Sequence, residues 1–317
     1  MKQIVHFCLS SHREVMYRDE ADQIWGFNCL ALAALVTESS LLADGIMSTH
    51  LHGMAQTDSP RELIKRSRYA YTRYFNAKYH RRGRLAEHSP FILDISGINH
   101  LTIALNYVNR QGLHHGITTT PFGYRHCSAN AFFREALGKP APDLLMPDDQ
   151  RSNYLPDRAN VPSSYRMSKD GLLLREDILD TNYVEQIYLT PRNYLYQMNR
   201  LTDEKWVEEQ KKDKNNLPPV TLEQIERGTA GFDVAQMLKN ENARVNPRWM
   251  TDLELCHIID TRYVPQLSRL QEAARIYDLS LSKRRNMFDL LSREIPLVYK
   301  KQVSLDQLGR CLCLSYE

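Results

Sequence analysis

Apolar and polar positions along the first 112 residues alternate between a short and a long period. "QIVHFCL" (3–9) is an apolar run of strand length. "RDEADQIWGFNCLALAALVTE" (18–38) is longer and predicts a helix, with acids in its first turn where the macrodipole favours them. "SLLADGIMS" (40–48) and "THLHGMAQT" (49–57) read as two strands. "SPRELIKRSRYAYTRYFNAKYH" (59–80) predicts a second helix, with Ser59 as N-cap, Pro60 at the first position and Glu62 completing a capping box. "PFILDI" (90–95) is a short apolar segment that suits a further strand. "SGINHLTIALNYVNRQG" (96–112) predicts a third helix, with Leu101, Ala104, Leu105 and Val108 on one face and Gly112 as its stop. This order predicts an α+β fold, a ferredoxin-like antiparallel sheet with helices on one face.

Near residue 140 the pattern changes, which predicts two domains, 1–140 and 141–317. Residues 138–171 are rich in proline and polar side chains and read as a linker or extended loop. "EEQKKDKNNLPP" (208–219) is a second, charged break. Residues 251–279 and 284–301 carry amphipathic helical patterns, so the second half reads as a mostly helical accessory region. "VSLDQLGRCLCL" (303–314) reads either as part of a DNA-reading helix-turn-helix or as plain helical packing.

Composition narrows the class. The 317 residues are 42% hydrophobic and 25% charged, which suits a globular chain with a sizeable core. The net charge of +3 does not by itself demand a polyanionic partner. Six scattered cysteines without a C-x-x-C pair suit free thiols in a reducing compartment. The N-terminal apolar core is too short for a signal peptide, and the longest apolar run, 24–36, is too short to span a bilayer. A cytoplasmic protein without membrane contact is expected.

Three features carry chemistry. In a strand, His50 and His52 point to the same side, with Leu51 opposite. Two imidazoles on one rigid element suit a divalent metal, although half-exposed strand histidines give the same pattern. From Arg61 to Arg84 there are nine cations (Arg61, Lys65, Arg66, Arg68, Arg73, Lys78, Arg81, Arg82 and Arg84) and one acid, Glu62. Tyr69, Tyr71, Tyr74, Phe75 and Tyr79 are interleaved among them. Such a segment suits phosphates and unpaired bases, and equally a solvated helix face over a buried aromatic stripe. Tyr107 and Gln111 stand one helical turn apart on the flank of the third helix. A metal that polarises a phosphodiester would help so weak a nucleophile as a phenol.

Taken together these motifs resemble the single-tyrosine HUH transposases. His50-Leu51-His52 is similar to the His-hydrophobic-His motif, and Tyr107-Val108-Asn109-Arg110-Gln111 to the tyrosine segment. "YTRYFNAKYHRRGRL" resembles the helix-to-basic-turn stretch between them, and His6 sits in the first strand, where many members carry histidine. The long C-terminal half is most similar to the REP-associated tyrosine transposases. The resemblance covers roughly residues 1–135, with Ser48-Thr49 in place of Pro-Asn and Gln111-Gly112 in place of the frequent Asn-Pro.

The resemblance implies an HUH endonuclease domain that binds Mg²⁺ or Mn²⁺ through His50, His52 and Gln111. It implies Tyr107 as nucleophile on single-stranded or hairpin DNA, a 5′-phosphotyrosine intermediate and the basic segment as DNA contact. A monomer or homodimer is expected. Two alternatives stand beside it: a non-catalytic DNA-binding or regulatory protein on the same fold, and a metal-dependent amidohydrolase, which would need repeated strand–helix units.

Overall fold

A computed structural model describes residues 2–11, 13–86, 89–140, 144–199, 248–268 and 274–314. The charged break at 208–219 lies outside the described residues. The fold is mixed α+β, built on a four-stranded antiparallel sheet. In chain order the elements are β1 (Gln3–Ser10), α1 (Glu20–Val36), β2 (Ser40–Ile46), β3 (His50–Thr57), α2 (Pro60–Tyr79), β4 (Phe91–Ile95) and α3 (Ile98–Asn109). The spatial strand order is β2-β3-β1-β4.

The register decides which side chains share a face. Cys8 lies opposite His52 and Ser10 opposite His50, so His6, His50 and His52 project from one face. Val5, Phe7, Leu9 and Leu51 project from the other and are fully or almost fully buried. Gly53 sits in that second row. A Cβ there would lie 2.3 Å from the Phe7 ring, so the missing side chain is the space that ring fills.

Helices cover both faces, not one. Gly26 of α1 comes close enough that an added Cβ would meet the side chain of Ile46 at 3.4 Å. Ile46 pairs with Leu51, which places α1 over the Phe7 face. α2 packs along α1, with the Trp25 and Tyr74 rings stacked 4.3 Å apart. On the histidine face, α3 lies across β2 and β3. Gly45 opposite His52 makes this possible: a Cβ there would sit 3.0 Å from the Val108 carbonyl oxygen and the Gln111 Cγ.

Two local expectations fail for identifiable reasons. Ser59 occupies the N-cap of α2, but its side chain makes no capping bond. Its backbone N–H donates to Thr57 Oγ1 at 3.1 Å, and Glu62 pairs with Arg66 at 2.8 Å. Gly112 does not stop the third helix. α3 ends at Asn109, and after Arg110 a further turn runs Gln111–His114. Gly112 instead allows close approach of Tyr124, whose Cβ would be 2.3 Å from an added Cβ.

The segment read as a linker is packed against the sheet. Met146, Leu155, Met167 and Leu173 are buried in the same cluster as Val5 and Phe7, which continues through α4 (Thr181–Tyr188) and α5 (Pro191–Met198). Arg175 grips the buried Asp44 of β2 with two bonds of 2.8 and 2.7 Å and lies over the Phe27 ring.

A second buried cluster gathers Val15 with residues of α6 (Asp252–Ile258), α7 (Leu281–Glu294) and α8 (Leu305–Cys311). Within 251–279 the described residues form one helical run over 252–267 and a single turn at Ile276–Asp278. Within α8, Gln307 through Cys311 are buried, so this helix is used for packing.

Candidate active site

Local structure fixes each imidazole before any ligand is considered. Ser48, which stands where the resemblance has proline, ties down the turn into β3. Its carbonyl accepts from Met16 and Tyr17, and its hydroxyl donates to Asp252 at 2.6 Å. Thr49 Oγ1 lies 3.1 Å from His50 Nδ1, leaving His50 Nε2 facing the Gln111 Oε1 at 3.4 Å. A hydroxyl can accept or donate, so Thr49 serves either tautomer. His6 Nε2 lies 3.0 Å from His52 Nδ1 and shares one hydrogen with it, while His52 Nε2 faces the Tyr107 hydroxyl at 3.5 Å. Both strand histidines therefore have Nδ1 engaged and Nε2 turned toward α3, as in histidines whose outer partners orient them for a metal.

Gln111 is held in turn by the end of α3, its amide nitrogen donating to the Tyr107 carbonyl at 3.3 Å. Its oxygen is shared, because His115 Nε2 approaches it at 3.1 Å. The His50 and His115 ring centroids are 4.9 Å apart, and the Tyr107 and His114 centroids 5.6 Å. Five histidines and one tyrosine thus meet around the end of α3.

Burial keeps His6, His50 and His52 neutral. Loss of water around His6 pushes its imidazole down to about 3. Burial takes His50 down to about 4, against the opposing effect of the Gln111 hydrogen bond. His52 is pushed well below the ordinary range by burial and then by the neighbouring imidazoles. Neutral imidazole is the metal-binding form. His6 Nδ1 is buried without a hydrogen-bond partner among the described residues. Also among the described residues, no three His, Cys, Asp or Glu side chains form a ready cage. The donors here are mixed: imidazole nitrogen, amide oxygen and phenol. Such a set, if it held a cation, would suit Mn²⁺ better than Mg²⁺ because of its imidazole nitrogens.

Of the residues singled out from sequence, His50, His52, Tyr107 and Gln111 come together. The basic segment does not join them, since α2 belongs to the α1 layer across the sheet. Arg61, Arg82 and Arg84 are exposed, as are Lys65 and Arg66 beside Glu62. Arg73 pairs with Asp157, Lys78 with Asp19 and Asp22, and Arg81 with Glu14. Arg68 is half-buried, and desolvation followed by the nearby Arg84 lowers its pKa. Tyr71, Phe75 and Tyr79 are core residues and Tyr74 stacks on Trp25, which leaves Tyr69 as the exposed ring of the group.

His114 and His115 were not assigned a role from sequence. The signal was present, because they follow Tyr107 by seven and eight residues and so fall on its helical flank. Comparison with protein-family models, with curated proteins and with solved structures finds no match.

Proposed function

We propose that the chain is a metal-dependent single-stranded DNA endonuclease and strand transferase that acts through a Tyr107 phosphotyrosine. The observation that carries this reading is the meeting of Tyr107, His52, His50 and Gln111 on one face of the sheet. The strand order β2-β3-β1-β4 with the sequence β1-α1-β2-β3-α2-β4 supports a ferredoxin-like core of the HUH endonuclease kind.

His50, His52 and Gln111 are the residues that would hold Mg²⁺ or Mn²⁺. When bound, such a cation supplies Lewis-acid polarisation of the scissile phosphodiester. α3 holds the Tyr107 oxygen beside that position. The phenolic oxygen forms the new bond to phosphorus and the bond to the 3′ oxygen breaks. The phenolic proton ends on the freed 3′-hydroxyl, and reversal of the step joins strands. Exposed cations of the α2 layer supply phosphate contacts at a distance from the chemistry.

A second reading, a non-catalytic DNA-binding protein on the same fold, draws on the 4% exposure of Tyr107. In that reading the tyrosine is a packing residue. Incubation with labelled single-stranded and hairpin oligonucleotides and Mn²⁺ separates the two. A covalent adduct mapped to Tyr107 supports cleavage, and binding without adduct supports the second reading. The amidohydrolase alternative required repeated strand–helix units, and the sheet seen here is antiparallel and four-stranded.

A further inference from the structure

We infer that His115 is a further ligand of the divalent cation, beside His50 and Gln111, an assignment that rests on the metal site proposed above. Three donor atoms carry it. His50 Nε2 lies 3.4 Å and His115 Nε2 lies 3.1 Å from the same oxygen, Gln111 Oε1. The two rings lie with centroids 4.9 Å apart and planes tilted by 52°. Donors about 2.1 Å from a common cation sit about 3.0 Å apart on neighbouring octahedral corners and about 3.4 Å apart on a tetrahedron. The two observed separations fall in that range, so a cation that replaces these hydrogen bonds would draw the donors together from side chains that, among the described residues, form no ready cage without it.

The backbone makes this arrangement reproducible. The His115 N–H donates to the Gln111 carbonyl at 2.9 Å, so the turn that carries Gln111 also fixes His115. His115 is half-buried, at the outer side of the cluster, whereas His50 and His52 are buried. It therefore stands on the solvent side of the two strand ligands. With His50 and His52, it raises the imidazole count to three. Nitrogen-rich donor sets favour Mn²⁺, Co²⁺ or Zn²⁺ over Mg²⁺, which prefers oxygen and retained water. The assignment thus makes the site one for a borderline transition metal.

The test is calorimetric titration of the metal-free 317-residue chain with MnCl₂ and MgCl₂, together with electron spin-echo measurement of nitrogen coupling to bound Mn²⁺. Wild type is compared with His115→Ala, His115→Gln and the double variant His50→Ala/His52→Ala. His115→Ala is expected to bind Mn²⁺ at least roughly tenfold more weakly, since even loss of an outer partner costs roughly 10–100-fold. It should also lose one coupled nitrogen and part of the preference for Mn²⁺ over Mg²⁺. His115→Gln offers oxygen in place of nitrogen, so it should recover part of the affinity but not the coupling. Wild-type Mn²⁺ affinity and nitrogen coupling in both His115 variants would overturn this assignment and leave the site of His50, His52 and Gln111 standing. No Mn²⁺ uptake by wild type, or unchanged uptake by the double variant, overturns that site and this assignment with it.

Discussion

Four buried imidazoles, His6, His50, His52 and His126, are held neutral at the cost of pH tolerance. Burial takes His6 and His126 down to about 3 and His50 to about 4, from an ordinary value of 6.5, and pushes His52 well below that value. In the unfolded chain these groups take up protons below about pH 6.5, while the folded chain does not. Their stabilising contribution is therefore complete above that pH and is lost as pH falls toward 4. Each group weighs up to about 1.4 kcal/mol per pH unit in that window. The buried Asp22, raised from 3.8 to about 6 mainly by desolvation, works in the opposite direction. Asp44, raised mainly by the same loss of water, acts in the same sense as Asp22, so two carboxyls stand against four imidazoles and the net effect is loss. Urea midpoints measured from about pH 7 to about pH 5 should fall with acidification. A midpoint that is flat or rises would show that the histidines are charged or solvated in the folded state.

At the scale of elements, the site depends on helix α3 lying close to the sheet, and three glycines set close approaches on its two faces. Gly45 admits α3 over the sheet, Gly53 admits Phe7, and Gly112 admits Tyr124. Tyr124 cannot easily yield, because its hydroxyl donates to the Ile46 carbonyl at 2.6 Å and accepts from Gln23 at 2.7 Å. Gly112→Ala is expected to destabilise the chain by about 1–3 kcal/mol through overpacking. It should also move Gln111 away from His50. Chemical denaturation reads the first effect, and Mn²⁺ affinity reads the second. Wild-type values for both would remove Gly112 from the account.

The strands and the first three helices were legible in the sequence, because apolar runs of strand length alternate with longer runs that open on acidic or proline-bearing first turns or carry one apolar face. The meaning of Gly112 was not. A glycine after a periodic run reads as a stop, and the neighbour it accommodates, Tyr124, is twelve residues away in a turn without periodicity. The same break at Arg110 concealed His114 and His115, which join the site only because the chain takes another helical turn. His50, His52, Tyr107 and Gln111 were legible because spacings of two and four residues carry their geometry with them.

For the whole molecule, the connection between the sheet and the C-terminal helices depends on groups far apart in sequence. The fully buried Arg18 side chain donates to both carboxylate oxygens of Asp260, at 2.9 and 2.8 Å, and to the Cys311 carbonyl at 2.8 Å. Ser48 reaches Asp252 beside it, and Arg275 donates to the Lys78 carbonyl at 3.1 Å. Nothing in the local pattern around Arg18 foretold this, since an arginine before an acidic helix start reads as surface. The reading of 138–171 as a linker or extended loop missed its packing in a related way. Met146, Leu155 and Met167 are single apolar residues among polar ones and show no period, yet each is buried. Arg18→Met is expected to cost roughly 3–5 kcal/mol, because it leaves Asp260 without its charge partner. The double variant Arg18→Met/Asp260→Asn should cost less than the sum of the single changes. Strict additivity in urea unfolding would show that the pair contributes nothing as a pair.

The central claim is that Tyr107 is a nucleophile, and one comparison tests it most directly. Wild type and Tyr107→Phe are incubated with single-stranded and hairpin oligonucleotides and Mn²⁺, and covalent protein–DNA adducts are resolved on denaturing gels. The substitution removes one oxygen, whose contact with His52 is long at 3.5 Å, so fold, Mn²⁺ affinity and DNA affinity should stay close to wild type. The account predicts an adduct on wild type and none on Tyr107→Phe. An adduct that persists in the Phe variant, or that maps to another tyrosine, would contradict it.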